Sequence, residues 1–466
     1  SGTTPPGTRR LLTAYARCQP TRGGEFRGVW CHSAYGVSGM TWDRAIRHLK
    51  QSGFNAVVPN MLWGGVADYQ SKLLPVRSDV ATRGDQIALC TAAGRKYGVE
   101  VHVWKVNFNL QGAPKEFVDR MRAEGRLQAT DRGEEEAWLC PSHPANFALE
   151  RDSMLEVARN YDVDGIHFDY IRYPDQSKCY CDGCRVRFEE STGITVLNWP
   201  KEVTRGGKHF AAYQEFRRRC ITRLVKAVSE EAHRLKPTLK VSAAVFSDWP
   251  NCREHVGQDW GHWVKQGYLD FVCPMDYTAH DEGFRARVQV QRDEVAGRIP
   301  LYPGVGAAAP GLPLNQVIDQ IQIARAEGAD GFIIFDYNDT VAHEYVPALG
   351  QATTRGTTYI PHNAPKVQWT IRQGDRPVAK AIPAGQPVQV EARVAGRVSE
   401  VVVSTASLDG KVVRGIGRAR GGAVTIKGGV RLPAGLYRLI ARGQTTPAGG
   451  KPQPFVARGP FLRVEK

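Results

Sequence analysis

The 466-residue chain contains no run of 18 apolar residues, which excludes a helix that spans a membrane. Its start, SGTTPPGTRR, lacks the charged and apolar regions of a signal peptide, as a mature secreted chain or a trimmed one would. Ten cysteines are too few to scaffold this length with disulfides. Low-complexity tracts and long repeats are missing. No nucleic-acid motif is present, and the basic residues are scattered among glycines and valines, so nucleic acid is not an expected partner.

Acidic residues are scarce in one part only. From Lys366 onward, 18 Lys and Arg face 5 Asp and Glu, whereas the rest of the chain holds only +2 of the net +15. A basic appendage on a near-neutral body either anchors the protein to an anionic polymer or surface, or serves solubility.

What the chain does have is eight short apolar runs: Phe26–His32, Asn55–Leu62, Glu100–Asn109, Gly165–Ile171, Lys240–Phe246, Phe271–Tyr277, Leu301–Ala307 and Gly331–Tyr337. Helical periodicity lies between them, at Trp42–Ser52, Gly84–Tyr97, Pro144–Tyr161, Lys208–Leu235 and Asn315–Glu327, with Ser142 placed to cap the helix from Pro144. Near-continuous apolar strands alternating with helices form a parallel sheet, and eight of them predict a (β/α)8 TIM barrel over residues 25–352. Residues 1–24 read as a flexible lead-in and 353–365 as a linker. Short valine-rich runs between glycine and proline turns predict a small all-β, immunoglobulin-like sandwich over 366–466.

In such a barrel the C-terminal strand ends carry the chemistry. Three of these runs hold aspartates near both ends. A strand rises about 3.3 Å per residue, so the two members of each pair lie at opposite faces. Asp164, Asp270 and Asp330 are expected to stabilise the floor, and Asp169, Asp276 and Asp336 to face the cleft. Period two puts His167 and Asp169 on one side of the pleat, with Arg172 in the following loop to orient the carboxylate or hold substrate. Two carboxylates across a cleft suit glycosidic bond cleavage. Asp169 is expected as nucleophile or base, Asp276 as general acid and Asp336 as an auxiliary. No nearby His–carboxylate spacing supports a metal at these aspartates, so catalysis needs no cofactor. No strand ends on glutamate, which excludes the common arrangement with glutamates after strands four and seven.

Aromatic and polar residues crowd the same strand ends: Trp30, His32, Asn60, Trp63, Trp104, Asn107, Asn109, Tyr170, Trp249, Tyr277 and Tyr337. Ring faces stack on sugars and amides read hydroxyls, so these are the expected substrate-binding residues.

Phe26-Arg-Gly-Val-Trp30, Gly53-Phe-Asn-Ala-Val57, Tyr69 with Leu74-Pro75, His102-Val-Trp104 and, above all, Asp162–Pro174 (DVDGIHFDYIRYP) resemble the bacterial glycosyl-hydrolase-like family 10. That family includes a divisome-localised hydrolase of peptidoglycan glycan strands. The resemblance covers about residues 25–345 and implies a TIM barrel that cleaves an extracellular or envelope polysaccharide, hence a secreted or cell-envelope bacterial protein. Pro274-Met-Asp-Tyr277 differs from the Pro-Gln-Tyr-Trp form of the peptidoglycan-type members. Aspartates after strands four and six are also similar in position to those of the retaining α-galactosidase-like clan. A silent carbohydrate-binding or surface-adhesion protein on the same barrel is the rival reading.

Cys179-Tyr-Cys181-Asp-Gly-Cys184 follows strand four, and its spacing resembles the structural zinc clamp of certain barrel β-galactosidases. Cys140 is the candidate fourth ligand of a tetrahedral site. A disulfide with one free thiol, or reduced thiols without metal, are the alternatives. Cys31 and Cys273 lie inside strands as small hydrophobes.

Overall fold

A computed structural model describes residues 24–378, 381–445 and 452–466, so the expected lead-in, 1–24, lies almost wholly outside the described residues. The eight apolar runs form parallel strands: β1 Phe26–Cys31, β2 Ala56–Trp63, β3 Glu100–Val106, β4 Gly165–Asp169, β5 Lys240–Phe246, β6 Phe271–Met275, β7 Gly304–Val305 and β8 Gly331–Phe335. They pair in the order β7-β8-β1-β2-β3-β4-β5-β6, and a single bridge between Val272 and Leu301 closes the ring. The strand seven run pairs over only two residues, because Pro300 and Pro303 flank the bridge and offer no N–H to the ladder.

The surrounding helices are α1 Trp42–Gln51, α2 Gln86–Tyr97, α3 Lys115–Ala123, α4 Pro144–Asn160, α5 Asp182–Thr192, α6 Phe210–Leu235, α7 Trp260–Gln266, α8 Asp281–Val295 and α9 Leu314–Ala326. α4 starts at Pro144, but its cap is His143, whose ring accepts the Ala145 N–H; Ser142 is used elsewhere. Strand residues alternate between two cores. Phe26, Trp30, Ala56, Val58, Trp104, Val106, Phe271, Cys273 and Ile333 fill the barrel interior. Val29, Val57, Val103, Ile166, Phe168, Val272 and Ile334 pack outward against the helices.

The floor is built by side chains at the starts of strands. Asp164 accepts the Val101 N–H, Asp270 the Val241 N–H and Asp330 the Leu301 N–H, while Asn55 accepts the Arg27 N–H. Each ties the first free amide of the preceding strand to the next, so one structural device recurs four times.

Residues 353–365 connect the domains as a strap beneath this floor. The buried Arg27 guanidinium donates to the Thr354 and Gly356 carbonyls at 2.6 and 2.9 Å. His362 fills the centre, stacked on Phe271 (centroids 4.6 Å apart) and bonded to Glu100 and Tyr302.

Beyond it, β9 Val367–Gln373, β10 Pro387–Val394, β11 Val398–Ser407, β12 Val413–Arg420, β13 Val424–Arg431, β14 Gly435–Thr445 and β15 Gln453–Glu465, with the two-residue strands Arg376–Pro377 and Ile382–Pro383, make two sheets, one of four strands and one of five. Val390, Val401, Val403, Leu439 and Leu462 lie between the sheets. Arg438 and Arg458 both engage the buried Asp330 carboxylate, fastening the sandwich to the floor.

Candidate active site

The barrel mouth follows from strand parity. Interior positions continue upward as Trp30 on β1 and His32 just after it, Asn60 and Trp63 on β2, Trp104 on β3, Asp169 at the end of β4 and Tyr170 after it, Met275 at the end of β6 and Tyr277 after it, and Phe335 on β8. The rings form a nearly continuous wall. Trp138 meets Tyr170, Tyr170 meets Trp63, Trp63 meets His32 and His32 meets Trp104, with centroids 4.7–6.2 Å apart. Opposite, Tyr277 stacks on Phe335 at 5.1 Å, and both meet Trp30 edge-on. Such spacings are those of favourable aromatic pairs.

Asp169 ends β4 and is 5% exposed. Burial pushes its carboxyl up to about 6, against the lowering pull of the Tyr170 N–H and the Arg172 charge. Tyr170, which donates that N–H at 2.7 Å, sits at φ +54°, a left-handed conformation that is costly for a tyrosine. Arg172 forms no direct ion pair with Asp169. Its guanidinium lies over the Phe246 and Tyr170 rings and donates to the Tyr173 and Pro174 carbonyls.

Below Asp169, His167 accepts the Trp30 indole N–H at Nε2 (3.1 Å) and so carries its proton on Nδ1, 2.8 Å from Ser242 Oγ. Burial lowers this imidazole to about 3, leaving it a neutral prop for Trp30. The Trp104 indole N–H is turned towards the Asp169 carboxyl, which it helps to lower, and both amide atoms of Asn60 are buried without a hydrogen-bond partner. Polar groups of this kind in a cleft wall are poised for a ligand's hydroxyls.

Asp336 is half-buried. It lies with His32 in a lobe of the mouth of about 620 Å³ lined also by Ser33, Ser38 and Asn338. Burial raises its carboxyl and the nearby His32 lowers it. Burial, then the charges of Asp169, Cys273, Asp276 and Asp336, push the Tyr277 hydroxyl far up.

Several expected site residues point the other way. Asp276 is fully enclosed on the outward face of its strand, where Gln291 of α8 donates to it at 2.6 Å. Burial raises it to about 8. Asn107 likewise faces α4 and donates to Glu150 at 2.7 Å. Asn109 holds a turn by accepting the Gln111 N–H. Tyr337 is buried against α1, its hydroxyl near His48 and the Ala45 carbonyl. Trp249 packs on Trp260 at 4.7 Å, on the outer rim. Met275, Phe335 and Trp138 are mouth residues that sequence reading misses. Parity from Trp30 and Cys273 could have found the first two; Trp138 arrives on a hairpin (Leu127–Ala129 with Glu135–Leu139) that strand periodicity does not announce.

The Cys140, Cys179, Cys181 and Cys184 sulfurs all lie within 4.8 Å of one another, beside the site loop. None is in a disulfide. Zinc–thiolate bonds of about 2.3 Å in a tetrahedron require sulfurs about 3.8 Å apart, which this cage fits. Ser142 Oγ, 3.1 and 3.2 Å from Cys140 and Cys184, and Arg187, which donates to Ser142, surround it. The other three thiols hydrogen-bond Cys140 and hold it well below the usual thiol range.

An aromatic mouth over a buried carboxylate, on a (β/α)8 barrel, defines a protein of the glycosidase type. Residues 25–318 match the family described as Glycosyl hydrolase-like 10, and the chain belongs to that family. It is 25% identical to the glycosyl hydrolase DigH of Escherichia coli K12 over 330 residues, covering 59% of this chain and 69% of that one. It is 24% identical to an S-layer-related protein of Niallia circulans over 39% of this chain and 13% of that one. In fold it resembles the PgaB (BpsB) glycoside hydrolase domain of Bordetella bronchiseptica (TM-score 0.57, 16% identity, covering 70% and 98% of the two chains). It also resembles a Marinomonas ef1 β-galactosidase (TM-score 0.53, 11% identity, 71% and 59%).

Proposed function

We propose that the chain is an endo-acting glycoside hydrolase of an extracellular or cell-envelope polysaccharide, with Asp169 as general acid and Asp336 as the second carboxylate. The observation that carries this is the buried Asp169, raised to about 6 beneath a wall of sugar-stacking rings. A carboxyl so raised keeps its proton up to about pH 6 and can give it to a leaving glycosidic oxygen. Asp336, less buried and reached from the open lobe beside His32, is the carboxylate placed to activate water or attack the anomeric carbon. Asn60 offers the unpaired amide that orients hydroxyls. The outward-facing Asp276 supports the wall through Gln291 and takes no part in the chemistry.

The names of the relatives, a glycosyl hydrolase and an S-layer-related protein, favour an envelope substrate. The cysteine cage is assigned to one structural zinc that pins the loop after β4 to the hairpin ahead of α4. Product analysis after incubation with peptidoglycan, mucin O-glycans and α-linked plant or algal glycans, with Asp169→Asn as control, tests the reading. Glycan binding without turnover on every member would leave a silent carbohydrate-binding barrel.

A further inference from the structure

On the side of the barrel opposite the mouth, floor and sandwich enclose a cleft of about 840 Å³. That lies within the roughly 300–1,000 Å³ range of ligand sites. Its lining comes from both domains: the starts of β5 and β8 and the turns after α7 and α8 on one side, the starts of β9 and parts of β14 and β15 on the other. The acids in the lining are Asp270 and Asp330, and both are already engaged. Asp270 bonds His233 and the Val241 N–H, while Asp330 holds Arg438 and Arg458. Lys265 is paired with Glu294. Lys240, Arg298 and Lys366 remain, and no ion pair is found for them among the described residues. These three cations line one cavity without ion pairs, Asp270 being the acid whose charge Lys240 feels. The half-buried Trp369 indole, packed over Gly459, adds an aromatic surface to the same lining.

We propose that this cleft is a second saccharide site, selective for glycans bearing anionic groups, with Lys240, Arg298 and Lys366 meeting the charges and Trp369 lying against a ring. Lys240 is half-buried while Arg298 and Lys366 are exposed, so the attraction is open to screening by salt. The aromatic surface favours a saccharide over a bare ion. The site is separate from the mouth and does not depend on the chemistry assigned there.

The test is titration of the full chain with a tetragalacturonate, a sulfated tetrasaccharide and neutral cellotetraose, at low and high salt. Both anionic probes, or whichever of carboxylate and sulfate the cleft accepts, should bind. Cellotetraose should leave the cleft empty, and affinity should fall as salt rises. Lys240→Glu with Lys366→Glu should weaken anionic binding at least about tenfold. Lys366→Glu alone, at an exposed position that leaves the barrel intact, should weaken it in part. Asp169→Asn should leave it unchanged. Equal binding of neutral and anionic probes, indifference to both lysine variants, or loss of binding in Asp169→Asn with the lysine variants unaffected would overturn the proposal. The last outcome would place the ligand in the mouth.

Discussion

Replacing Asp169 with asparagine separates what the residue does for chemistry from what it costs the fold. As the general acid its loss should lower kcat by about 10²–10⁴-fold, and native kcat/KM should decline as pH rises through about 6. Stability moves the other way. A carboxyl raised from about 4 unfolded to about 6 folded binds its proton more tightly in the native state, so stability is full below pH 4 and falls as pH rises through 6. Above pH 6 the charged group costs at most about 3 kcal/mol. Asp169→Asn should therefore melt higher than the native protein at pH 7.5, with the gap closing towards pH 4, as thermal unfolding across that range would reveal. Asp276→Asn is the companion. Asp276 is held protonated at neutrality, so asparagine replaces a neutral acid of the same shape, and turnover should stay within about threefold. A loss of about 10²-fold at that position would return Asp276 to the chemistry.

Among the elements, the loop after β4 depends on the cysteine cage. We expect one zinc per chain by metal analysis, and Cys184→Ser should lose it, with increased proteolysis around α5 before any change in the barrel. A mapped disulfide among the four would refute the assignment. How much was legible in the sequence also differs by element. The eight strands could be read because apolar runs are what a two-sided barrel strand demands. The floor aspartates could be read because their spacing from the strand ends is fixed by strand rise. The same period-two rule that placed His167 with Asp169 applies to β3 and β6. Extending Trp104 and Val106 leaves Asn107 outward, and extending Cys273 and Met275 leaves Asp276 outward. Those two misplacements were avoidable; the burial of the strap was not. Thr, Pro and Gly in residues 353–365 have a loop's composition, and only the assembled floor gives His362 a place to lie.

For the molecule as a whole, the strap belongs with the barrel rather than with the sandwich. Truncation after residue 365 should leave a folded barrel with turnover on soluble substrate, whereas truncation after 352 removes the carbonyls that satisfy Arg27 and the ring that fills the floor. The shorter form should be insoluble or melt far lower, by thermal unfolding of the two forms side by side. His362→Ala in the full chain should cost about 2–4 kcal/mol, through the cavity left and the lost hydrogen bonds to Glu100 and Tyr302. If the two truncations behave alike, the strap is only a tether.

Arg27 lies at the beginning of the barrel and Thr354 beyond its end, 327 positions apart, yet they share a buried hydrogen bond. During synthesis the guanidinium emerges early and waits for carbonyls that arrive only when the last barrel strand is already made. A nascent chain holding seven strands therefore has an Arg27 paired with Glu25 but short of its two late carbonyl acceptors, and an open ring above it, a state with little to gain from closing. Completion of the barrel is tied to the arrival of its final segment, so the fold tests the integrity of its own chain before it becomes stable.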